Sequence, residues 1–159
     1  MERQRRMITI ADILSPKHIL VGLKAETRAR ALSKVADLLE RDERLTDWDQ
    51  FYNGIMAGAA CITNDFGAGI CIAHVRSKAV HEMVMAVAQS PGGILFEESG
   101  VRIHLIVVIG VPLALASDYL RIIGALARIF RTEKGEAALL GASTPQELLE
   151  RLCALEMQI

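Results

Sequence analysis

The stretch Thr63-Asn64-Asp65-Phe66-Gly67-Ala68-Gly69-Ile70-Cys71-Ile72-Ala73-His74-Val75-Arg76 changes character halfway along. Its first half is polar and turn-forming, and Gly67 and Gly69 can take backbone angles that a side chain forbids. Its second half opens with an apolar run, residues 70–73, which reads as a buried strand. His74 stands where that strand is expected to end, and Arg76 follows two residues later. A strand end is a rigid platform, so a histidine there can face a cleft. Neutral imidazole is a good nucleophile near neutral pH, because its ordinary pKa is about 6.5. An arginine beside it offers a planar fork of donors to phosphate oxygens. Glycines upstream let backbone N–H groups approach an anion closely.

Outward from this stretch, apolar periodicity alternates between helix and strand. Residues 9–14 form a short helix that Ser15-Pro16 ends, since proline disfavours helix in the residue before it. Residues 18–23 are β-prone. Residues 26–41 read as a helix with Leu32, Val35, Ala36 and Leu39 inward. A second helix runs over 47–58, with Phe51, Ile55 and Met56 inward and Thr46 or Asp47 as N-cap. Residues 82–88 are a strand, and Gln89-Ser90-Pro91-Gly92-Gly93 is a loop by composition. Residues 101–111 are the most β-branched run and predict a central strand, closed by Pro112. Ser117 or Asp118 then caps a helix to about Thr132, its inner face formed by Leu120, Ile123, Leu126, Ala127 and Phe130. Residues 133–140 form a short helix. Thr144-Pro145-Gln146-Glu147 is a strong start signal for a last helix that buries Leu148, Leu149, Leu152 and Leu155. Interleaved helices and strands predict a single-domain α/β fold, one sheet with helices on both faces.

Composition narrows the function classes. The chain has 159 residues, which suits one domain. A net charge of -1 gives no global case for nucleic acid or an anionic membrane. With 52% hydrophobic but only 4% aromatic residues, the core is expected to be aliphatic. The three cysteines Cys61, Cys71 and Cys153 cannot all pair and read as reduced core thiols. The longest apolar run, 103–116, is too short to span a membrane, and no signal peptide is visible. The expectation is a soluble cytoplasmic protein without membrane insertion. Residues 1–7 are read as a flexible extension and 8–159 as the domain. An apolar-rich surface favours a homodimer.

The residues 63–76 resemble the active-site segment of the fructose/mannitol-type enzyme IIA domains of the bacterial phosphotransferase system. That segment reads Ser-Thr-Gly-x-Gly-x-Gly-Ile-Ala-Ile-Pro-His-Gly-Arg or close to it. Gly67, Gly69, Ile70, Ile72, His74 and Arg76 match, and Thr63 stands for the Ser. Asn64, Asp65, Cys71, Ala73 and Val75 depart from it. The likeness extends from about Ile8 to the C-terminus, and the single-domain length suits the nitrogen-regulatory branch. It implies a mixed sheet of about five strands with the mannitol enzyme IIA layout.

The resemblance further implies a phosphocarrier. His74 takes a phosphoryl group from a histidine-containing carrier protein, and signals or passes it onward to regulated targets. Arg76 neutralises the phosphoryl oxygens, while Thr63, Asn64 and Tyr119 donate hydrogen bonds. No cofactor and no metal are implied. The family's second histidine, at the start of the helix after the central strand, is replaced here by Tyr119, followed by Leu120. Tyrosine donates one hydrogen bond but is no imidazole near neutral pH. Asp118 beside it reads as a helix cap. His104, where the family often has Asp, reads as a satisfied structural histidine. Two alternatives stand beside this reading. One is a regulatory module of the same fold that binds protein partners without accepting phosphate. The other is a metal or thiol site using Cys71, His74, His81 and Cys61, against which strand alternation places 71 and 74 on opposite faces.

Overall fold

A computed structural model describes residues 7–63, 68–114 and 117–158, with the side chains of 59, 60, 62 and 63 excepted. The expected extension 1–7 lies outside these residues apart from Met7, and so does Asn64. In chain order the elements are α1 (Ile10–Ile13), β1 (Ile19–Val21), α2 (Arg28–Ala36), α3 (Trp48–Ala57), β2 (Ala59–Thr63), β3 (Gly69–Arg76), β4 (Val84–Phe96), β5 (Val101–Val111), α4 (Asp118–Arg131), α5 (Glu133–Leu140) and α6 (Pro145–Glu156). The sheet order is β1-β4-β5-β3-β2. β1 runs parallel to β4, and β3 parallel to β5; the pairs β4–β5 and β2–β3 are antiparallel. This is the α/β fold read from the residues, with the mixed sheet of five strands that the resemblance implies. No helix among the described residues is long and apolar enough to cross a membrane.

Strand alternation divides the core into two layers. Ile70 and Ile72 of β3, Met85 and Val87 of β4, and Leu105, Val107, Ile109 and Val111 of β5 face α1, α4, α5 and α6. Cys71 and Ala73, Val84, Ala86 and Ala88, and Ile106 and Val108 face α2 and α3. The middle of the sheet is therefore packed by apolar side chains on both sides. Met83 and Met85 are buried in the first layer, filling core space.

Several expectations are corrected. β2 was absent from the sequence reading: Ala59-Ala60-Cys61 carries no alternation, and pairing with β3 makes it a strand. The expected loop 89–93 lies inside β4, where the register with β5 jumps between Gln89 and Ile94. The expected strand 18–23 is shorter, since His18 belongs to a 3-10 turn, Pro16–His18. The expected helix 26–41 is α2 followed by a 3-10 turn, Asp37–Leu39. In α4, Leu120 is 58% exposed, and the buried stripe is Ile122, Ala125, Leu126, Ile129 and Phe130. Ser117 occupies the N-cap position of α4 without a side-chain bond, and Asp118 is the first helical residue rather than the cap. His104 sits at a β-bulge, because Gly69 pairs with Ile103 while Ile70 pairs with Leu105. Its Nδ1 is buried with no hydrogen-bond partner among the described residues, so the ring is not fully satisfied as expected. Burial lowers its pKa, opposed by the charge of Glu136.

Two polar groups hold the layers together. Gln89 is fully buried. Its Nε2 donates to the carbonyls of Leu139, Leu140 and Ala142 at 3.3, 3.3 and 2.9 Å, and its Oε1 accepts from Gly22 N at 2.8 Å. One side chain thus ties the chain leaving β1 to carbonyls at and just after the end of α5. Asp42 accepts from Arg44 Nη2 at 2.7 Å and from its Nε at 2.9 Å, while Arg44 Nη1 donates to Met83 O at 3.3 Å. His18 Nε2 lies 3.6 Å from the same carboxylate.

Replacing Gln89 with Leu removes the side-chain partner of the Leu140 and Ala142 carbonyls and of the Gly22 N–H. Urea denaturation is expected to show a loss of about 2–4 kcal/mol, and a loss within about 0.5 kcal/mol would show that water serves as well. The Arg44 guanidinium holds the Asp42 carboxyl down at about 2. A depressed carboxyl contributes stability that is present above its unfolded pKa, about 4, and is lost as pH falls through about 2. Asp42→Asn is expected to cost roughly 1–2 kcal/mol at neutral pH, discounted for its proximity to solvent. The gap from wild type should shrink between about pH 4 and pH 2, read as denaturant midpoints across that range.

Candidate functional site

β3 is longer than the apolar run alone indicates. Its burial changes abruptly: residues 69–73 are buried, while His74 and Arg76 are exposed. Both are opposite residues of β5 that point to the α4 side, since His74 pairs with Ile109 and Arg76 with Val111. His74 is therefore inside the strand rather than at its end, with its backbone held by the β5 ladder.

Gly69 has a role other than the turn angle expected of it. Its φ is not positive. A Cβ there would fall 2.8 Å from Arg102 O and 2.8 Å from Ile103 Cδ1, so the absent side chain lets β3 start flush against β5. Gly67 lies outside the described residues. A second close approach is made from the other layer. A Cβ on Gly54 of α3 would fall 2.3 Å from Val75 Cγ2. Val75 is the residue between His74 and Arg76, and its branched side chain has little rotamer freedom. α3 thus supports the segment that carries both site residues from behind.

On the front, Tyr119 in the first turn of α4 lies beside His74, with ring centroids 5.6 Å apart and planes tilted by 33°. Tyr119 is half-buried against the α4-side core, which fixes where its ring stands. Arg76 reaches over to the turn after β5. Its Nη2 and Nε donate to Leu113 O at 2.7 and 3.2 Å. The bonds use one edge of the planar guanidinium, and its other N–H groups have chemical capacity for an anion. Exposed Leu113 and Leu120 flank this face. The N-terminus of a helix favours negative charge near its first-turn N–H groups, and Tyr119 places that end of α4 next to His74.

The structure thus brings together His74, Arg76 and Tyr119 of the residues singled out from sequence. Thr63 closes β2 opposite Gly69, but its side chain lies outside what is described, as does Asn64 altogether. The contribution of Leu113 is a backbone carbonyl, which no side-chain pattern reveals. The metal or thiol alternative meets a geometric obstacle: Cys71 is buried on the α2/α3 side and His74 is exposed on the other. Among the described residues no cluster of three or more His, Cys, Asp or Glu is arranged for a metal ion. A cavity of about 480 Å³ shares the turn at Pro112 and Ala114 with the site, but its lining includes Arg44, His81 and Met83 and not His74.

Comparison with known proteins adds a family and a fold. The model of the family described as phosphoenolpyruvate-dependent sugar phosphotransferase system, EIIA 2, matches residues 12–154. A nitrogen regulatory protein of Pseudomonas aeruginosa is 25% identical over 145 residues, 91% of this chain and 94% of that protein. A PTS system fructose-specific EIIA component of Haloferax volcanii is 30% identical over 127 residues, covering 79% and 82% of the two. The crystal structure of the nitrogen regulatory protein IIA-Ntr from Neisseria meningitidis superposes with a TM-score of 0.76 at 24% identity, over 90% of this chain and 98% of that one.

Gly54→Ala tests the support behind the site. Alanine gains about 1 kcal/mol of helix propensity over glycine, but the clash with Val75 should outweigh it. The expected result is a net destabilisation of about 1–2 kcal/mol in chemical denaturation, with altered backbone amide shifts at Val75 and His74. A net gain in stability would show that α3 moves away from β3 freely.

Proposed function

From membership of the phosphoenolpyruvate-dependent sugar phosphotransferase EIIA 2 family, to which this chain belongs, we propose that His74 is a phosphoryl-accepting residue whose donor is a histidine-containing carrier protein. The family supports a phosphocarrier or regulatory role in the phosphotransferase system. The observation that carries the finer reading is the exposed imidazole of His74, held on a paired strand between the Tyr119 ring and an Arg76 that is anchored on Leu113 O.

The chemistry asks little of the protein beyond position and charge. An unprotonated ring nitrogen of His74 attacks the phosphorus of the carrier's phosphohistidine in line. The new P–N bond forms as the old one breaks, and the bonding pair returns to the carrier's imidazole. No proton needs to be created or lost at phosphorus. Negative charge spreads over three equatorial oxygens, and the guanidinium of Arg76 and the α4 N-terminus both stand on that side. The Tyr119 hydroxyl donates one hydrogen bond and leaves the nucleophile role to His74. Exposed Leu113 and Leu120 supply apolar area at the rim of the same face, where a carrier protein must approach. The role ends in transfer to an acceptor or in contact with a regulated protein. A nitrogen-regulatory role follows the resemblance to the Pseudomonas protein.

A second reading keeps the fold and face but not the transfer. The observation that favours it is Tyr119, since a phenol at 5.6 Å stands where a second imidazole would share a phosphoryl group. The two are separated by intact mass after incubation with phosphoenolpyruvate, enzyme I and a histidine-containing carrier protein. One acid-labile phosphate is expected on the wild type and none on His74→Ala. Arg76→Ala is expected to accept phosphate roughly tenfold to a hundredfold more slowly. Wild-type protein without phosphate, in a mixture whose carrier is charged, would overturn the phosphocarrier reading and leave the binding module.

A further inference from the structure

A second chemically active place lies on the other side of the sheet. Cys61 of β2 and Cys71 of β3 are directly opposite each other in the antiparallel ladder. Directly opposed residues in such a pair have Cα atoms about 4.5–5.5 Å apart, inside the roughly 4.4–6.8 Å that a disulfide spans. Their Cβ atoms, about 4.5–5.5 Å apart in a ladder, must close by up to about 1 Å for the bond. Both thiols point to the α2/α3 side and are free.

The two thiols differ in access. Cys71 is fully buried, whereas Cys61 is half-buried and opens into a surface recess of about 440 Å³ lined also by Arg28, Phe96, Glu98 and Ser99. Such a recess admits a small molecule and excludes a protein domain. Arg28 and Glu98 place charges of both signs at its rim. Cys153, the third cysteine, belongs to α6 on the opposite layer and is no partner for either.

We propose that Cys61 and Cys71 form a reversible dithiol–disulfide site that exchanges with small-molecule disulfides through the recess at Cys61. The thiolate of Cys61 attacks one sulfur of the small disulfide RSSR. A Cys61–S–SR bond forms, the S–S bond of RSSR breaks, and one RS⁻ leaves. The Cys71 sulfur, losing its proton to the departing thiolate, then attacks the Cys61 sulfur and expels the second RS⁻. Overall, two protein thiols and one RSSR give one protein disulfide and two RSH, so the protein is oxidised by two electrons and the small disulfide reduced by two. Burial and the neighbouring Cys61 push the Cys71 thiol up to about 12. The first exchange removes the charge on Cys61 that contributes to this, and the resolving step should still accelerate as pH rises.

The bond would staple the β2–β3 ladder three residues before His74 and two before Thr63. It goes beyond the phosphoryl-transfer reading and stands without it, since its readouts are thiol chemistry.

The test uses the full chain carrying Cys153→Ser, incubated with oxidised glutathione. The expected product has lost about 2 Da, the two thiol hydrogens, and carries no glutathione adduct. Non-reducing digestion should join the peptides of Cys61 and Cys71, and dithiothreitol should separate them. With Cys71→Ala added, exchange should arrest at a glutathione adduct on Cys61. Should that doubly substituted chain fail to fold, the peptide map of the Cys153→Ser protein decides alone. A persistent adduct on Cys61 with Cys71 still reduced, or two thiols left untouched, would overturn the proposal.

Discussion

The constraint on which this molecule depends is the two-sided burial of β5. Leu105, Val107, Ile109 and Val111 face one layer of helices, Ile106 and Val108 the other. A strand buried on both faces has no polar side to turn outward, but its neighbours still need their own parity. A slip of one residue between β3 and β5 would send Ile70 and Ile72 into the α2/α3 layer and carry Cys71 and Ala73 to the α4 side. His74 and Arg76 would then lie under α3 rather than beside α4. The registers His74↔Ile109 and Arg76↔Val111 are thus set by packing several residues away from the chemistry. The site is exposed because the ladder continues beyond the helical cover, not because the strand ends.

What was legible in the sequence and what was not divides along physical lines. Helix starts with a local chemical signal were readable: Asp47 accepts from Gln50 N, and Thr144 from Glu147 N, as N-caps do. The central strand was readable because β-branched residues run without interruption. β2 was not, because Ala59-Ala60-Cys61 owes its conformation to pairing with β3. Residues 89–93 look like a loop and carry loop chemistry, with Gly93 at φ 77, yet they bulge within β4 because the strand resumes against β5 at Ile94. The inner face of α4 was legible in part: Leu126 and Phe130 are buried as expected, but Leu120 is apolar and exposed on the first turn. The pairing of His74 with Arg76 was visible as a spacing of two, whereas the anchoring of Arg76 on a carbonyl was not, since a backbone acceptor has no letter.

The candidate site departs from the family's usual segment on both sides of the sheet. Ala73 and Val75 replace residues of the usual segment, and both find places in the α2/α3 layer, Val75 against the bare face of Gly54. They are answered by packing on the side away from the chemistry. Tyr119 is different, because it stands on the side of His74. There the aromatic body is held by the core and only the hydroxyl is left to act.

The first and last helices meet across almost the whole chain. Ile10 N donates to both carboxylate oxygens of Glu156, at 3.1 and 3.2 Å, over a separation of 146 residues. α1 has only four residues, far below the length at which a helix holds by itself. At a synthesis rate of about 5–20 residues per second, it emerges from the ribosome roughly 7–30 s before its partner exists. For that interval Ile10 and Ile13, both core residues in the finished molecule, have no α6 to cover them. The nascent chain is then a sheet under construction in which the two isoleucines of α1 still wait for their cover.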